Sequence, residues 1–360
     1  MSTQLFSSTL DFRSAVGGGA NISIDLTNLA PTMQLTAQKY IIPYLGTALY
    51  NTLLTAVTED EVDNLSIPNK ELLPFVKRAL GYLTLAEYSR ISGVMLTDNG
   101  LQRFESDTHK TAYARQELDY RKAMLEGGWD HLEQMIILLE SDATAYENWH
   151  TNVMPDIRRD FIYLASQLRL YYAGYVNRHT FEVLRPIFQE IDQHAIEPLL
   201  GSTFYAALKT KWRSKANLSA AEQAVVNAIV PACAKFAISE AQRRLWVRNE
   251  GTDIVMTDSG ERTDPRQAST AAAVGEKIRH LREFAERQLS YARKVLNDHI
   301  DDLPTYKDFI TAKAAADQAK TPSYLGEDSR YYHGCRCGYY SCTGSCSNRR
   351  SEDNKGIVKL

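Results

Sequence analysis

Apolar residues recur at three- and four-residue spacing along most of this chain, the period of helices that bury one face. Leu29, Met33, Ala37, Tyr40 and Ile41 mark one helix within 26–54. Leu73, Val76, Leu80, Leu83 and Tyr88 mark a second within 72–95, where Ala79, Gly81 and Ala86 let a neighbour approach closely. Leu118, Leu125, Leu132, Met135 and Leu139 mark a third within 111–141, which Gly127-Gly128 should weaken or kink. Pro31 suits the first turn of its helix, where no amide bond is lost. Pro43-Tyr44-Leu45-Gly46 breaks the first pattern and predicts a corner followed by a short helix from Thr47. Residues 58–70 read as a polar loop, 22–26 as a brief extended stretch, and 94–100 (VMLTDNG) as a short strand or hairpin arm.

The pattern then starts again. Residues 41–53, IIPYLGTALYNTL, return as 196–208, IEPLLGSTFYAAL. Ile41, Pro43, Leu45, Gly46, Tyr50 and Leu53 match Ile196, Pro198, Leu200, Gly201, Tyr205 and Leu208, each 155 residues on. Phe181, Leu184 and Pro186 stand where Leu26, Leu29 and Pro31 stood. Residues 218–249 repeat the central helix with Pro231 near the place of Pro74, and 271–299 repeat the last helix. The stretch 254–260 (IVMTDSG) matches 94–100 at an offset of 160. Matches at turn-formers and apolar positions, in one order, indicate a duplicated unit. The chain is therefore expected to be mainly α, with two tandem helical bundles, each carrying a short β excursion. The expected division is an N-terminal arm over 1–20, repeat 1 over 21–145, a linker over 146–160 anchored by Trp149 and Met154, repeat 2 over 161–303, and an irregular, extended Cys-rich tail over 304–360. In the arm, Gly17-Gly18-Gly19 reads as a mobile link or a close backbone approach.

Composition adds little beyond exclusions. The 360 residues are 44% hydrophobic and 24% charged, with net charge -3, an ordinary globular balance. That charge argues against the whole chain being a nucleic-acid surface and leaves room for local patches. No run approaches the roughly 18 apolar residues of a membrane span. The polar residues after Met1 do not form a signal-peptide pattern, so the expectation is a cytoplasmic protein, or one exported by a route other than Sec.

Candidate chemistry gathers in the tail. Cys335, Cys337, Cys342 and Cys346 place four thiols in twelve residues, with His333 nearby. Three states fit them: a tetrahedral zinc site, two disulfides, or an unordered tail. The tail also interleaves Tyr331, Tyr332, Tyr339 and Tyr340 with Arg349, Arg350 and other cations, which suits docking on a neighbouring subunit or stacking on bases. Cys233 reads as buried packing. His109, His131, His150, His179 and His194 lack metal-ligand spacing, and Asp98 and Asp258 sit in turn sequences. Arg243, Arg244 and Arg248 form a basic strip that reads first as a solvated face, then as a salt-bridge face or a phosphate contact. No phosphate-binding Gly loop, Gly-x-Ser-x-Gly or His-Glu-x-x-His is present, so the reading is not an enzyme.

The corner at 41–53, the 94–100 stretch and their second copies carry a resemblance. A helical bundle with a long first helix, a Pro-Tyr-Leu-Gly-like corner and a β-like excursion before its last helix resembles the head–tail connector (adaptor, head-completion) proteins of tailed bacteriophages. It looks most like the tandem-duplicated version seen in phages and prophages of Bacteroidetes, over roughly 12–300. The resemblance implies a structural virion protein assembled in the host cytoplasm. It implies a homo-oligomeric ring, a dodecamer to match the portal, that meets portal and tail proteins. Such a ring lines or seals the channel through which DNA passes, with no membrane partner. The duplication and the Cys tail depart from the single-unit pattern, and no functional residue is carried over. The competing reading is a nucleic-acid-binding regulator with a zinc-stabilised basic tail.

Overall fold

The computed structural model describes residues 4–17, 24–92, 94–97, 100–103, 114–172, 176–244, 247–250, 253–256 and 271–320. Residues 1–311 form one compact unit and 312–360 a second, of which 312–320 are the last turns of a helix. The first unit is mainly helical and built from two copies of one element series.

Copy 1 runs α1 (Thr9–Val16), α2 (Leu26–Thr36), a π-turn (Ala37–Ile41), α3 (Ile42–Leu45), α4 (Thr47–Thr58), α5 (Ile67–Ser92), β1 (Val94–Thr97), β2 (Gly100–Arg103), α6 (Ala114–Ser141), α7 (Glu147–Asn152) and α8 (Met154–Ile157). Copy 2 runs α9 (Ala165–Arg169), α10 (Arg178–Ile191), a π-turn (Asp192–Ile196), α11 (Glu197–Leu200), α12 (Ser202–Arg213), α13 (Ala220–Arg244), β3 (Val247–Glu250), β4 (Asp253–Met256), α14 (Ala271–Asp298) and α15 (Pro304–Lys320). In each copy the long pair, α5 with α6 or α13 with α14, packs side by side, and the first helix lies against the central one.

The corner shows why the sequence repeats there. Pro43 has no N–H for the carbonyl four residues back, and its ring crowds that carbonyl. The chain widens into a π-turn just before it, with the Ile42 amide donating to the Ala37 carbonyl. The second copy does the same from Glu197 to Asp192. Gly46 (φ 83, ψ 146) and Gly201 (φ 79, ψ 143) then occupy a backbone region open only to glycine. Asp60 (φ 56) and Lys215 (φ 54), again 155 apart, share the left-handed region beyond α4 and α12.

Two apolar cores follow, one from Leu5 to Leu164 and one from Phe161 to Tyr306, with Trp212 packed against both. Helix α13 is long and apolar enough to cross a membrane by length and composition, but most of its apolar window is buried in the second core. Cys233 is buried there as expected.

Several expectations are corrected or sharpened. The expected N-terminal arm packs into the first core: Leu5, Phe6, Phe12 and Val16 are buried, and a Cβ on Gly81 would meet Val16 at 2.5 Å. Of the brief extended stretch expected over 22–26, Asp25 has an extended backbone (φ -101, ψ 126) and caps α2 by accepting from the Thr27 amide, Leu26 already opens the helix, and 22–23 lie outside the described residues. Pro31 and Pro186 lie well inside α2 and α10 on their exposed sides, where water can serve the carbonyls they leave unpaired. Gly127-Gly128 does not break α6. It allows close approach, since a Cβ on Gly128 would lie 2.5 Å from Leu83 Cγ. In the linker over 146–160 the anchors Trp149 and Met154 are buried in the first core, joined there by Tyr146 and Ile157, and the Trp149 indole donates to the Tyr44 carbonyl at 2.7 Å. The tail does not start extended, because 304–320 are helix α15. Finally, the predicted helix 218–249 ends at Arg244. β1 pairs antiparallel with β2 (Val94 opposite Arg103), and β3 with β4 (Val247 opposite Met256). The offset-160 match thus sets a first strand, 94–97, against a second strand, 253–256, and is not a structural equivalence.

Candidate functional site

The most strongly built polar arrangement among the described residues is the seam where copy 2 meets the end of copy 1. Helix α10 starts one turn earlier than its counterpart α2, capped by the Asn177 side chain accepting from the Thr180 amide. That extra turn carries Arg178, whose side chain is fully buried. Its Nη1 donates to Glu133 Oε2 on α6 at 3.2 Å and to the Tyr163 carbonyl at 2.8 Å, and Nη2 lies 2.7 Å from Glu182 Oε1. Glu133, itself buried, also accepts from the Ser166 amide and hydroxyl at 3.1 and 3.3 Å. Burial opposes the charge on Arg178, but Glu182 and Glu133 outweigh it and hold the guanidinium pKa above its ordinary value. Tyr44, whose ring centroid lies 5.1 Å from that guanidinium, has its pKa raised by burial and by Glu182.

Two further clusters extend the seam. Arg158 Nη1 meets Glu140 Oε1 at 3.0 Å, and the Tyr163 hydroxyl donates to the same oxygen at 2.5 Å. The Arg158 guanidinium sits over the Tyr163 and Trp212 rings at 4.7 and 4.6 Å. On α12, Lys209 Nζ lies 2.5 Å from Asp192 Oδ2, donates to the Arg159 carbonyl at 2.8 Å and stands 4.0 Å over the Phe161 ring. Arg185 donates to the carbonyls of Asp156 and Ile157 at 2.8 and 2.9 Å and faces Asp160 at 3.6 Å. Burial pushes the Asp160 and Asp192 carboxyls up, against the pull of Lys209 on both. Trp212 Nε1 donates to the Asp160 carbonyl at 2.9 Å. Copy 2 thus reaches copy 1 through Arg178 on Glu133 and Arg185 on the Asp156 and Ile157 carbonyls, while Arg158–Glu140 pairs within the end of copy 1 and Lys209–Asp192 within copy 2. The arrangement fixes two bodies together; its charged groups are buried and spent on one another.

Two grooves lie at the surface. One, of about 410 Å³, runs from the Gly46 corner to α7, between Leu45–Thr52 on one side and Tyr146–Val153 on the other. The other, of about 510 Å³, lies between α13 and α14 around Lys235 and Phe284.

The tail residues singled out by sequence, Cys335, Cys337, Cys342, Cys346, Tyr331, Tyr332, Tyr339, Tyr340, Arg349 and Arg350, lie outside the described residues, as do Asp98, His109 and Asp258. Among the described residues no group of His, Cys, Asp and Glu is arranged to hold a metal ion. His131 stacks on Tyr82 at 5.5 Å, His179 on Trp129 at 5.5 Å, and His150 Nε2 is 3.0 Å from the Leu139 carbonyl. Arg243 and Arg244 are a salt-bridge face rather than a freely solvated one: both bond Glu240, at 2.6 and 2.9 Å, and Arg244 also pairs with Glu190.

The seam residues escaped the sequence reading, yet a signal for them existed. Subtracting one copy from the other at equal offset sets Arg185 against Ala30, Asp192 against Ala37, Lys209 against Leu54 and Trp212 against Val57. On α6, 157 residues before α14, Glu133 faces Ser290 and Glu140 faces Asn297. The seam is written where the copies disagree. No curated protein and no solved structure matches the chain. One family model matches it twice, over residues 41–159 and 196–315, each span opening at the corner, the first closing just past α8 and the second within α15. The chain therefore belongs to that family, described as a family of unknown function (DUF6712), and carries two copies of its unit.

Proposed function

We propose that this chain is a structural protein of a phage virion, a head–tail connector that assembles as a ring between portal and tail and lines or seals the DNA channel. One observation carries the reading: the deeply buried charges around Glu133 and Arg178 join two copies of one helical unit into one compact body. A seam that spends its ion pairs on fixing two units makes a stiff building block, which suits a subunit held in a ring by repeated contacts. The resemblance of the corner and of the chain after each central helix to connector proteins supplies the virion context. Ring order is proposed as twelvefold, matching a portal.

The test is negative-stain imaging and light scattering of the purified full-length chain, alone and mixed with a portal protein from the same genome. Rings, or a portal complex of fixed stoichiometry, are expected. A monomer that neither closes nor adds to the portal at tens of micromolar would overturn the reading. The second reading, a regulator with a zinc-stabilised tail, rests on Cys335, Cys337, Cys342 and Cys346. It requires about one zinc per chain in the purified protein, lost when those four are replaced by Ser.

A further inference from the structure

The groove between α13 and α14 has a composition that the fold does not ask for. Lys235 projects from α13 and Lys277 and Arg287 from α14. None of the three has a salt bridge to a described residue. Each of the three stands near an aromatic ring. Lys235 Nζ stands 5.3 Å from the Phe284 centroid, the Arg287 guanidinium 6.0 Å from the same ring, and Lys277 Nζ 5.8 Å from Tyr172. The groove also carries one acid, Glu276, whose Oε1 lies 3.6 Å from His280 Nε2, and Glu283 on the far side of His280 pairs with Arg279 at 3.7 Å, so three cations face one carboxylate. Partial burial lowers the pKa of both lysines, the mark of ammonium groups drawn from water without a counter-charge.

The first copy supplies the control. Its long pair has the same register 157 residues earlier, and at the same place it carries Arg78, Tyr120, Gly127 and Asp130 instead of Lys235, Lys277, Phe284 and Arg287. There the space over Gly127 is closed by that copy's own Tyr82 ring, 3.0 Å from where a Cβ would stand. Helix α6 carries three Lys or Arg against six Asp or Glu; α14 carries six against four. The long pair therefore folds equally well with an acidic, closed surface. The basic, open groove belongs to the second copy alone.

We propose that the α13–α14 groove binds the phosphodiester backbone of nucleic acid, with Lys235, Lys277 and Arg287 on phosphates and Phe284 as an apolar platform for the adjoining sugar or base. Cations spaced around an aromatic ring in a groove suit a polyanion that has flat apolar groups between its charges. An acidic peptide offers the charge but not the regular alternation of the two. The site is independent of the tail and of the ring reading: a connector and a regulator would each use it.

The experiment is fluorescence anisotropy of a labelled oligonucleotide of about 20 bases with the full-length chain, across roughly 50 to 200 mM salt. Binding should weaken with salt, with a logarithmic slope near -2, as about three phosphates on a single strand require. The variant Lys235→Gln/Lys277→Gln/Arg287→Gln should bind at least about tenfold more weakly and flatten that slope. Its three positions are exposed or half-buried, and unchanged helical circular dichroism and melting will show that it folds. The tail variant Arg349→Gln/Arg350→Gln should keep the slope. Three results would each overturn the proposal: no binding at low salt, groove and tail variants exchanging these behaviours, or a polyglutamate chain of equal charge competing as well as the unlabelled oligonucleotide. A duplex probe run beside the single strand separates the two forms of the same ligand. Tighter binding of the single strand is expected, because Phe284 can reach a base only where none is paired over it.

Discussion

Helices α6 and α14 are the same helix met twice, 28 residues each and in one register. Towards the central helix they agree: Gly128 and Ala285, Met135 and Ala292, and Leu139 and Leu296 are all buried. On the other side they part company. Trp129, Glu133 and Ile136 of α6 are buried, while Glu286, Ser290 and Arg293, 157 residues on, are exposed. The difference follows from position in the tandem. Helix α10 of the second copy lies against α6, and the outer side of α14 faces water instead. An end repeat needs a polar outer face, and an inner one needs a partner for its buried groups. Sites that fold the unit are thus shared by the copies, and sites that do something further are found by subtraction.

The comparison breaks most sharply at Glu133. Replacing it by Ala leaves the Arg178 guanidinium buried with part of its counter-charge gone and removes the acceptor for Ser166. A loss of about 3–5 kcal/mol is expected in denaturant unfolding. Ser290→Ala, at the matching place on α14, should stay within about 0.5 kcal/mol. Equal small effects at both positions would mean that the seam holds nothing. Next in size are the corners, where the copies should agree. Gly201→Ala puts a Cβ 2.4 Å from Phe309 Cγ in a backbone region closed to alanine, and Gly46→Ala puts one 2.8 Å from Val153 Cγ2. Losses of about 3 and about 2 kcal/mol are expected, the larger at Gly201 because a ring yields less readily than one branch of a valine.

The same division explains what could be read from sequence. Pro43, Gly46, Pro198 and Gly201 were legible because local chain geometry alone demands them. The long helices were legible from their period, including the small Gly128, although its role was misread. A glycine pair in isolation weakens a helix, and only the Leu83 side chain across the contact turns it into a fitting. Proline in mid-helix was misplaced for a similar reason: the exposure of Pro31 and Pro186 is a property of the assembled unit. Arg178, Asp192 and Lys209 were illegible because a charge on an amphipathic helix ordinarily faces water, and nothing within α10 or α12 shows that a second body covers it. The arm at 5–16 was hidden by its brevity; α1 has eight residues, and its Phe12 and Val16 are buried by packing on Phe6 and on α5.

The smallest expected effect is a pH dependence confined to one copy. Glu240 on α13 stands where the first copy has Leu83, and it replaces a packing contact by a charged one. Arg243 donates to it at 2.6 and 3.0 Å and Arg244 at 2.9 Å, with Arg282 of α14 at 3.9 Å. Burial alone would raise the Glu240 pKa; the hydrogen bonds and charges of Arg243 and Arg244 outweigh it and hold it below the ordinary 4.5. A carboxyl whose folded pKa is depressed contributes stability above its unfolded pKa and loses it as pH falls through the folded one. Glu240→Gln should therefore cost stability at pH 7, by about 0.5–1 kcal/mol because its arginine partners are half exposed. The gap to the parent chain should close as pH drops below 4.5. Leu83→Gln in the first copy replaces an apolar core contact instead, so its cost should be larger and flat across the same pH range. If the two variants show the same pH profile, the charge at Glu240 is not what distinguishes the second long pair from the first.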